Sequence, residues 1–402
     1  IQYDSNGDST IDALAFIYGR TDSQTYTVKD KDGATPTPVA ADNDWAIYRA
    51  YTSLSNWQSQ TENTNITEPA EDDVNPSMDL VGTHTIMMVA CYNDGPMDDG
   101  ITAINGWTNG PDNYIRIYTP TDASEVGVSQ RHTGTAGTGF RLAPSLDLSS
   151  TQNFWYIHIY EEYVRIEGIE IDGSGLTNGR RLSVVRVDDT IASPSDLRFD
   201  KMIIHHFINS NGVPTEDSDV FGFQLRNGNV KISNTVIYRL EQLNTNASAS
   251  VQAIYVTGGT GNFYNNTIYN IKNSSGNPAS AAGIKNSGGT VTVTNNAVLD
   301  MNSTGGSEDC FNGTITQSNN ISSDGTGTLT DRTATDDPNP GSGDWVVFAN
   351  LTSGSEDLHL QYVAENDALN AAADLSGTFS DDIDGEIRPT GANTWDIGAD
   401  EI

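Results

Sequence analysis

Val164-Arg-Ile-Glu-Gly-Ile-Glu-Ile171 aligns without gaps to Leu197-Arg-Phe-Asp-Lys-Met-Ile-Ile204 and to Val230-Lys-Ile-Ser-Asn-Thr-Val-Ile237. Gly261-Asn-Phe-Tyr-Asn-Asn-Thr-Ile268 and Val291-Thr-Val-Thr-Asn-Asn-Ala-Val298 continue the series. Their starts lie 33, 33, 31 and 30 residues apart, and a shorter copy, Gln317-Ser-Asn-Asn-Ile321, follows. The third position reads Ile166, Phe199, Ile232, Phe263, Val293, and the eighth reads Ile171, Ile204, Ile237, Ile268, Val298. A fixed period of this length marks a stacked-repeat architecture. One copy cannot bury its apolar positions alone. Stacked at the strand spacing of ~4.8 Å, equivalent positions merge into continuous apolar files.

Around each copy the pattern is that of strands. Ser183-Val-Val-Arg-Val187, Phe221-Gly-Phe-Gln-Leu225, Ala253-Ile-Tyr-Val256 and Ala282-Gly-Ile-Lys285 precede successive copies. Gly258-Gly259 and Gly288-Gly289 supply turns between them. Apolar spacing of 3.6 is missing from these repeats, which excludes the helical solenoids of similar period. The fold expected is all-β, a right-handed parallel β-helix. The fifth position, Asn234, Asn265, Asn295 and Asn319, reads as a structural Asn ladder, because amides stack in register and Asn tolerates a left-handed turn.

The rest of the chain divides around this core. Residues 1–42 read as an N-terminal arm with a calcium loop and a strand, and 43–139 as a helical cap and first coils. Residues 140–330 are the regular coils, and 331–402 a last coil and an irregular C-terminal cap. Trp45, Tyr48, Tyr51, Leu54 and Trp57 recur every three residues, predicting a capping helix over 43–60 that starts at Asn43 or Asp44. Asp357-Leu-His-Leu360 reads as the last coil strand.

Composition agrees with a thin-cored β structure. Hydrophobic residues are 36% of 402, and Gly (38) with Asn, Thr and Ser fills the deficit. The net charge of −34 disfavours nucleic acid and anionic membranes as partners. No apolar run has the ~18 residues that a membrane span needs. Cys91 and Cys310 lie 219 positions apart, at no metal-ligand spacing, and read as two free thiols. Ile1 in place of Met suggests a processed product whose signal peptide is gone, or a fragment.

The tail Asp381-Asp-Ile-Asp-Gly-Glu-Ile-Arg-Pro389 followed by Trp395-Asp-Ile-Gly-Ala-Asp-Glu401 resembles the closing segment of secreted right-handed parallel β-helix repeat proteins, the pectate-lyase-like solenoids. More weakly, the resemblance extends over residues 85–402. It implies the fold and an extracellular or cell-surface setting. It leaves activity open, since that family includes carbohydrate-active enzymes and adhesins. Asp4, Asn6, Asp8, the Thr10 carbonyl and Asp12 follow the alternation by which a chain wraps a hard cation, and resemble half of a dockerin calcium loop. Ser9 stands where that loop has Gly, and Ala15 occupies its closing acidic position. Ca2+ is the cofactor this implies.

Two further features bear on function. Ala13-Leu-Ala-Phe-Ile-Tyr18 is an apolar strand suited to adding to the sheet edge of a second copy, an assembly arm that would give homo-oligomers or a filament. For catalysis the candidates are Asp188-Asp189, His205-His206 and the column Asp172, His205, Tyr238, Tyr269. The Asn-Thr-Asp, Gly-His-Gly and Arg-Ile-Lys signatures of polygalacturonases and the Arg-rich signature of pectate lyases are missing. Strand alternation turns one of His205 and His206 outward, as a surface histidine. The expectation is therefore a noncatalytic extracellular structural or adhesive protein that self-associates and has polysaccharide as a further partner. A polysaccharide lyase or hydrolase and a viral fibre or tailspike are the alternatives.

Overall fold

The computed structural model describes residues 1–30, 33–36, 44–67, 77–100, 102–145, 153–176, 181–210, 219–243, 249–274, 280–390 and 395–402. Three parallel sheets of seven, eight and seven strands wind through most of the chain. Each coil contributes one strand to each sheet, as in Leu182–Val187, Leu197–Asp200 and Ile203–Asn209. The next coil repeats the sequence with Val220–Leu225, Asn229–Ser233 and Val236–Gln242. This is a parallel β-solenoid.

The register is the one that the repeat dictates. Ile166, Phe199, Ile232, Phe263 and Val293 pair successively along the second sheet. Ile171, Ile204, Ile237, Ile268 and Val298 do so along the third. All ten belong to one buried cluster. Each such side chain contributes roughly 1.5–3 kcal/mol by leaving water, so the files supply the cohesion that individual short strands lack.

Between second and third sheets the chain turns through one left-handed residue per coil. Gly168, Lys201, Asn234, Asn265, Asn295 and Asn319 all have φ between 46° and 71° there. That conformation carries the fifth position away from the interior and returns the sixth to it. The stacked amides therefore sit one residue later than the sequence suggests. Asn266 Nδ2 donates to Asn296 Oδ1 at 2.8 Å, and Asn296 Nδ2 donates to Asn320 Oδ1 at 3.0 Å. The same oxygens accept the backbone N–H of Asn266 and Asn296, while Thr235 N donates to Asn266 Oδ1. Of the fifth-position residues, Asn265 and Asn295 make a direct side-chain link, at 3.0 Å.

The fifth position instead forms a rail for the C-terminal segment. Lys201 pairs with Asp381, and Asn234 Oδ1 accepts from Arg388. Asn265 donates to the carbonyls of Asp396 and Gly398, Asn295 to Ala373 and Asn319 to Ala371. Alongside the rail, Phe348, Leu358, Leu360, Trp395 and Ile397 pack on Ile203, Val236, Ala297 and Leu299 from the third sheet. The tail thus lies along the flank of the solenoid. Asp357–Leu360 is not a coil strand: it pairs antiparallel with Trp345–Asn350. The end of the stack is covered by the loop after Ile321–Ser322, where Asp324 accepts from Cys310 N and Thr326 from Phe311 N.

At the other end the helix is shorter than predicted. It spans Leu54–Gln58, with Ser53 accepting from Asn56 N as its cap. Trp45–Ala46 is a strand, antiparallel to Gln2–Tyr3, and Asn43 lies outside the described residues. Five residues satisfy the helix because Leu54 and Trp57 already cover the first coil, Trp57 stacking on Trp107 at 5.3 Å. Both cysteines are free and buried. Among the described residues no helix is long and apolar enough to cross a membrane.

Candidate functional site

The outer face of the second sheet carries a file of cations. Arg116 pairs in register with Arg165, Arg165 with Arg198, and Arg198 with Lys231. They occupy the second position of their coils, which the next two copies fill with Asn262 and Thr292, and alternation points them away from the interior. Two positions on, Glu167, Asp200, Ser233 and Tyr264 form a parallel file on the same face. The two files line a groove of about 330 Å3, walled by Tyr114 and by Phe379 from the C-terminal segment.

Like charges one coil apart repel, so the file needs compensation. Glu167 receives Arg116 at 2.6 Å and Arg131 at 2.5 Å. Burial raises its carboxyl, but these two guanidinium groups outweigh that and hold it below the ordinary glutamate value. Asp196 serves three cations: Arg198 at 2.5 Å, Arg165 at 3.7 Å and Lys231 at 3.9 Å. Asp200 is pushed up by burial, although Lys201 and Ser233 oppose the shift.

Arg165 is only weakly compensated, by Asp196 at 3.7 Å. Its guanidinium lies over the Tyr114 ring at 3.5 Å, and its buried Nε has no hydrogen-bond partner among the described residues. Burial and then the charge of Arg198 lower its pKa. Four cations and two carboxylates line the groove, leaving it locally positive on a strongly acidic chain. Forked guanidinium donors beside aromatic faces suit a chain of hydroxyl and carboxylate groups.

The Asp188-Asp189 pair lies beyond the end of Leu182–Val187 in the first sheet. His158 Nε2 sits 2.8 Å from Asp188 Oδ2, and Thr190 donates to Asp188 Oδ1 from both N and Oγ1. Burial raises Asp188, but Thr190 and His158 outweigh it, leaving a strongly acidic carboxyl. Asp189 pairs with Arg226 at 2.9 Å. A carboxylate with both oxygens engaged and so low an affinity for protons is a poor general base or acid.

The N-terminal loop is closed on itself. Asp4 accepts from the N–H groups of Asn6, Gly7 and Ser9, and Asp12 from Ser5 N and Asn6 Nδ2. Asn6 accepts from Asp8 N, and Asp8 from Thr10 N. The arm residues are paired within the chain. Ala13–Leu14 lies antiparallel to Gln2–Tyr3, and Phe16–Arg20 to Tyr26–Lys29, with Ala15 buried and Ile17 and Tyr18 exposed.

Asp172, His205, Tyr238 and Tyr269 do form one column. His205 and His206 depart from the expected alternation. His206 has φ 58° and is skipped by the ladder, as are Arg239, Asn270 and Asp300 in later coils. That bulge brings both rings to one side, their centroids 4.8 Å apart. The cationic file is legible in the sequence as the second residue of three aligned copies, Arg165, Arg198 and Lys231, although an outward position leaves no apolar trace.

No protein-family model, characterised protein or solved structure matches this chain.

Proposed function

We propose that this is a noncatalytic extracellular or cell-surface protein, structural or adhesive, which holds an acidic polysaccharide along its second sheet. The observation that carries the reading is the file Arg116, Arg165, Arg198, Lys231 in a groove with aromatic walls. On a chain of −34 the long-range field repels polyanions, so an acidic chain is held only where cations are concentrated locally, as they are along this file. Successive coils present one cation every ~4.8 Å, close to the length of one sugar residue. A uronate chain running across the coils would meet a charge at each sugar. Secretion, Ca2+ in the Asp4–Asp12 loop and self-association through the hairpin bearing exposed Ile17 and Tyr18 belong to the same reading.

Catalysis on polysaccharide is the weaker reading, because Asp188 is engaged by His158, Thr190 and Arg186, and Asp189 pairs with Arg226. The test is binding of the purified chain to immobilised polyuronates, with neutral glucans as controls and products assayed for unsaturated ends. Retention on polyuronate with no product supports an adhesive role. Equal retention on neutral glucans, or product formation, refutes it.

A further inference from the structure

Apart from the groove, the third sheet holds a cluster that we infer to be a binding site for a divalent transition-metal ion, with His205, His206 and Asp172 as its protein ligands. Each of the three offers one ligand atom, and these atoms lie within 4.8 Å of one another. The bulge at His206 creates the cluster, since regular alternation would send its ring to the opposite face.

The arrangement of the two rings is what points to a cation. His205 Nε2 lies 3.0 Å from Glu170 Oε1, and Glu356 Oε2 lies 3.9 Å from His206 Nε2, beyond hydrogen-bond reach. A carboxylate only accepts, so His205 turns its Nε2–H toward Glu170 and its Nδ1 presents a lone pair. The Nδ1 of His206 faces that lone pair at 2.6 Å. A proton would need only the two nitrogens. Here a third donor converges as well, Asp172 Oδ1, at 3.8 Å from His205 Nδ1. Two imidazole nitrogens and one carboxylate oxygen form the donor set of zinc-like ions, whereas Ca2+ takes six to eight oxygens.

The supporting contacts are those of a held metal site. Glu170 fixes the tautomer of His205, Tyr238 stacks on its ring at 5.1 Å and 7°, and Arg141 holds the other Asp172 oxygen at 3.2 Å. Glu170 and Glu356 are fully buried behind the rings. With metal–nitrogen bonds of about 2.0–2.1 Å, tetrahedral ligands stand about 3.4 Å apart, so the rings would part by less than about 1 Å. The ion would tie Asp172 of one coil to His205 of the next, beneath Glu356 of the C-terminal segment.

The experiment titrates the full chain, first stripped with chelator, with Zn2+ by calorimetry and with Co2+ by visible absorption. One equivalent should bind, and Co2+ should give the intense bands of a low-coordinate nitrogen-ligated site. His206→Asn keeps the left-handed residue, because Asn270 already occupies the same station one coil beyond Arg239. It and Asp172→Asn should each weaken binding by at least about tenfold, and His206→Asn should leave the melting of the metal-free chain in place. His359→Gln, which removes the histidine of the separate His359, Asp384, Asp400 group, should bind as the parent does. Failure to bind Zn2+, binding unchanged in His206→Asn and Asp172→Asn, or loss with His359→Gln instead would overturn the assignment.

Discussion

Arg388 donates from Nη1 to Glu401 Oε2 at 2.7 Å, with the arginine side chain wholly shielded from solvent and the glutamate nearly so. The other terminal nitrogen, Nη2, reaches the carbonyls of Gly398 and Ala399 and the side chain of Asn234 in the solenoid. One guanidinium therefore gathers the tail and attaches it to the coils. Breaking a buried pair from one side leaves an uncompensated charge, a cost of about 3–5 kcal/mol. Arg388→Met should release the tail locally, and Arg388→Lys should not rescue it, because an ammonium cannot span four acceptors. Limited proteolysis around residues 380–402 reads the outcome. Unchanged protection in both variants would exclude this clamp.

The amide stack makes a second demand. Asn296 Nδ2 donates to Asn320 Oδ1 and to the carbonyls of Phe263 and Thr294, while Asn296 Oδ1 accepts from Asn266. Asn296→Ala orphans several buried groups at once, and each costs about 1–3 kcal/mol. Asn319, at the fifth position, donates to the single carbonyl of Ala371. Asn319→Gly preserves the left-handed backbone and should cost far less than Asn296→Ala in denaturant titrations. Equal costs would mean that the fifth position carries the stack after all.

Rising pH should loosen the tail. His359 faces Asp357 through Nδ1, with Asp384 at 3.8 Å and Asp400 at 4.0 Å from Nε2. Burial lowers its pKa, but the Asp357 bond and the surrounding carboxylates win and raise it to about 9. A histidine raised above its unfolded value stabilises fully below about pH 6.5 and loses that contribution as pH climbs through about 9. Asp400 is pushed up to about 7, chiefly by burial, so the folded chain keeps a proton that the unfolded chain has released. Its effect also falls, between about pH 4 and 7. Both slopes have the same sign, each up to about 1.4 kcal/mol per pH unit. Melting temperature should decline from mild acid to pH 9.5, and His359→Gln should flatten the upper part. Identical pH curves for parent and variant would refute this.

The third and eighth positions made the architecture legible, because a residue that must be buried in every coil leaves a periodic trace: Ile166 to Val293 in one file, Ile171 to Val298 in the other. The fifth position left an equally clear trace with a different meaning. Asn234, Asn265, Asn295 and Asn319 recur because each turn needs a left-handed residue, and their amides are then free to receive the tail. Period alone cannot say on which side of the backbone a turn residue falls. Nor could it foresee the bulge at His206, since the breaking residue is Arg239, Asn270 or Asp300 in the other coils, with no common chemistry. The helical spacing of Trp45, Tyr48 and Tyr51 failed for a related reason. A terminal segment has few neighbours, and one short strand pairing with Gln2–Tyr3 was enough to outweigh a weak helical preference.

The cationic file yields a prediction in which affinity and stability move in opposite directions. Arg165 stands between Arg116 and Arg198 in register, and its Nε lacks a hydrogen-bond partner among the described residues. Removing it should relieve repulsion on both sides and end the desolvation of an unpaired donor, so Arg165→Gln should melt at or above the parent temperature. The same substitution takes a forked donor from the groove, and polyuronate affinity should fall by about three- to tenfold, roughly 0.7–1.4 kcal/mol. Lys231→Gln should lower affinity less, since an ammonium offers no fork and shares Asp196. Added salt should weaken the parent more than either variant, because screening acts on the charges that they lack. Melting temperatures, paired with binding isotherms at two ionic strengths, measure both sides. A variant that loses stability and keeps its affinity would show that Arg165 is there for the fold, not for a ligand.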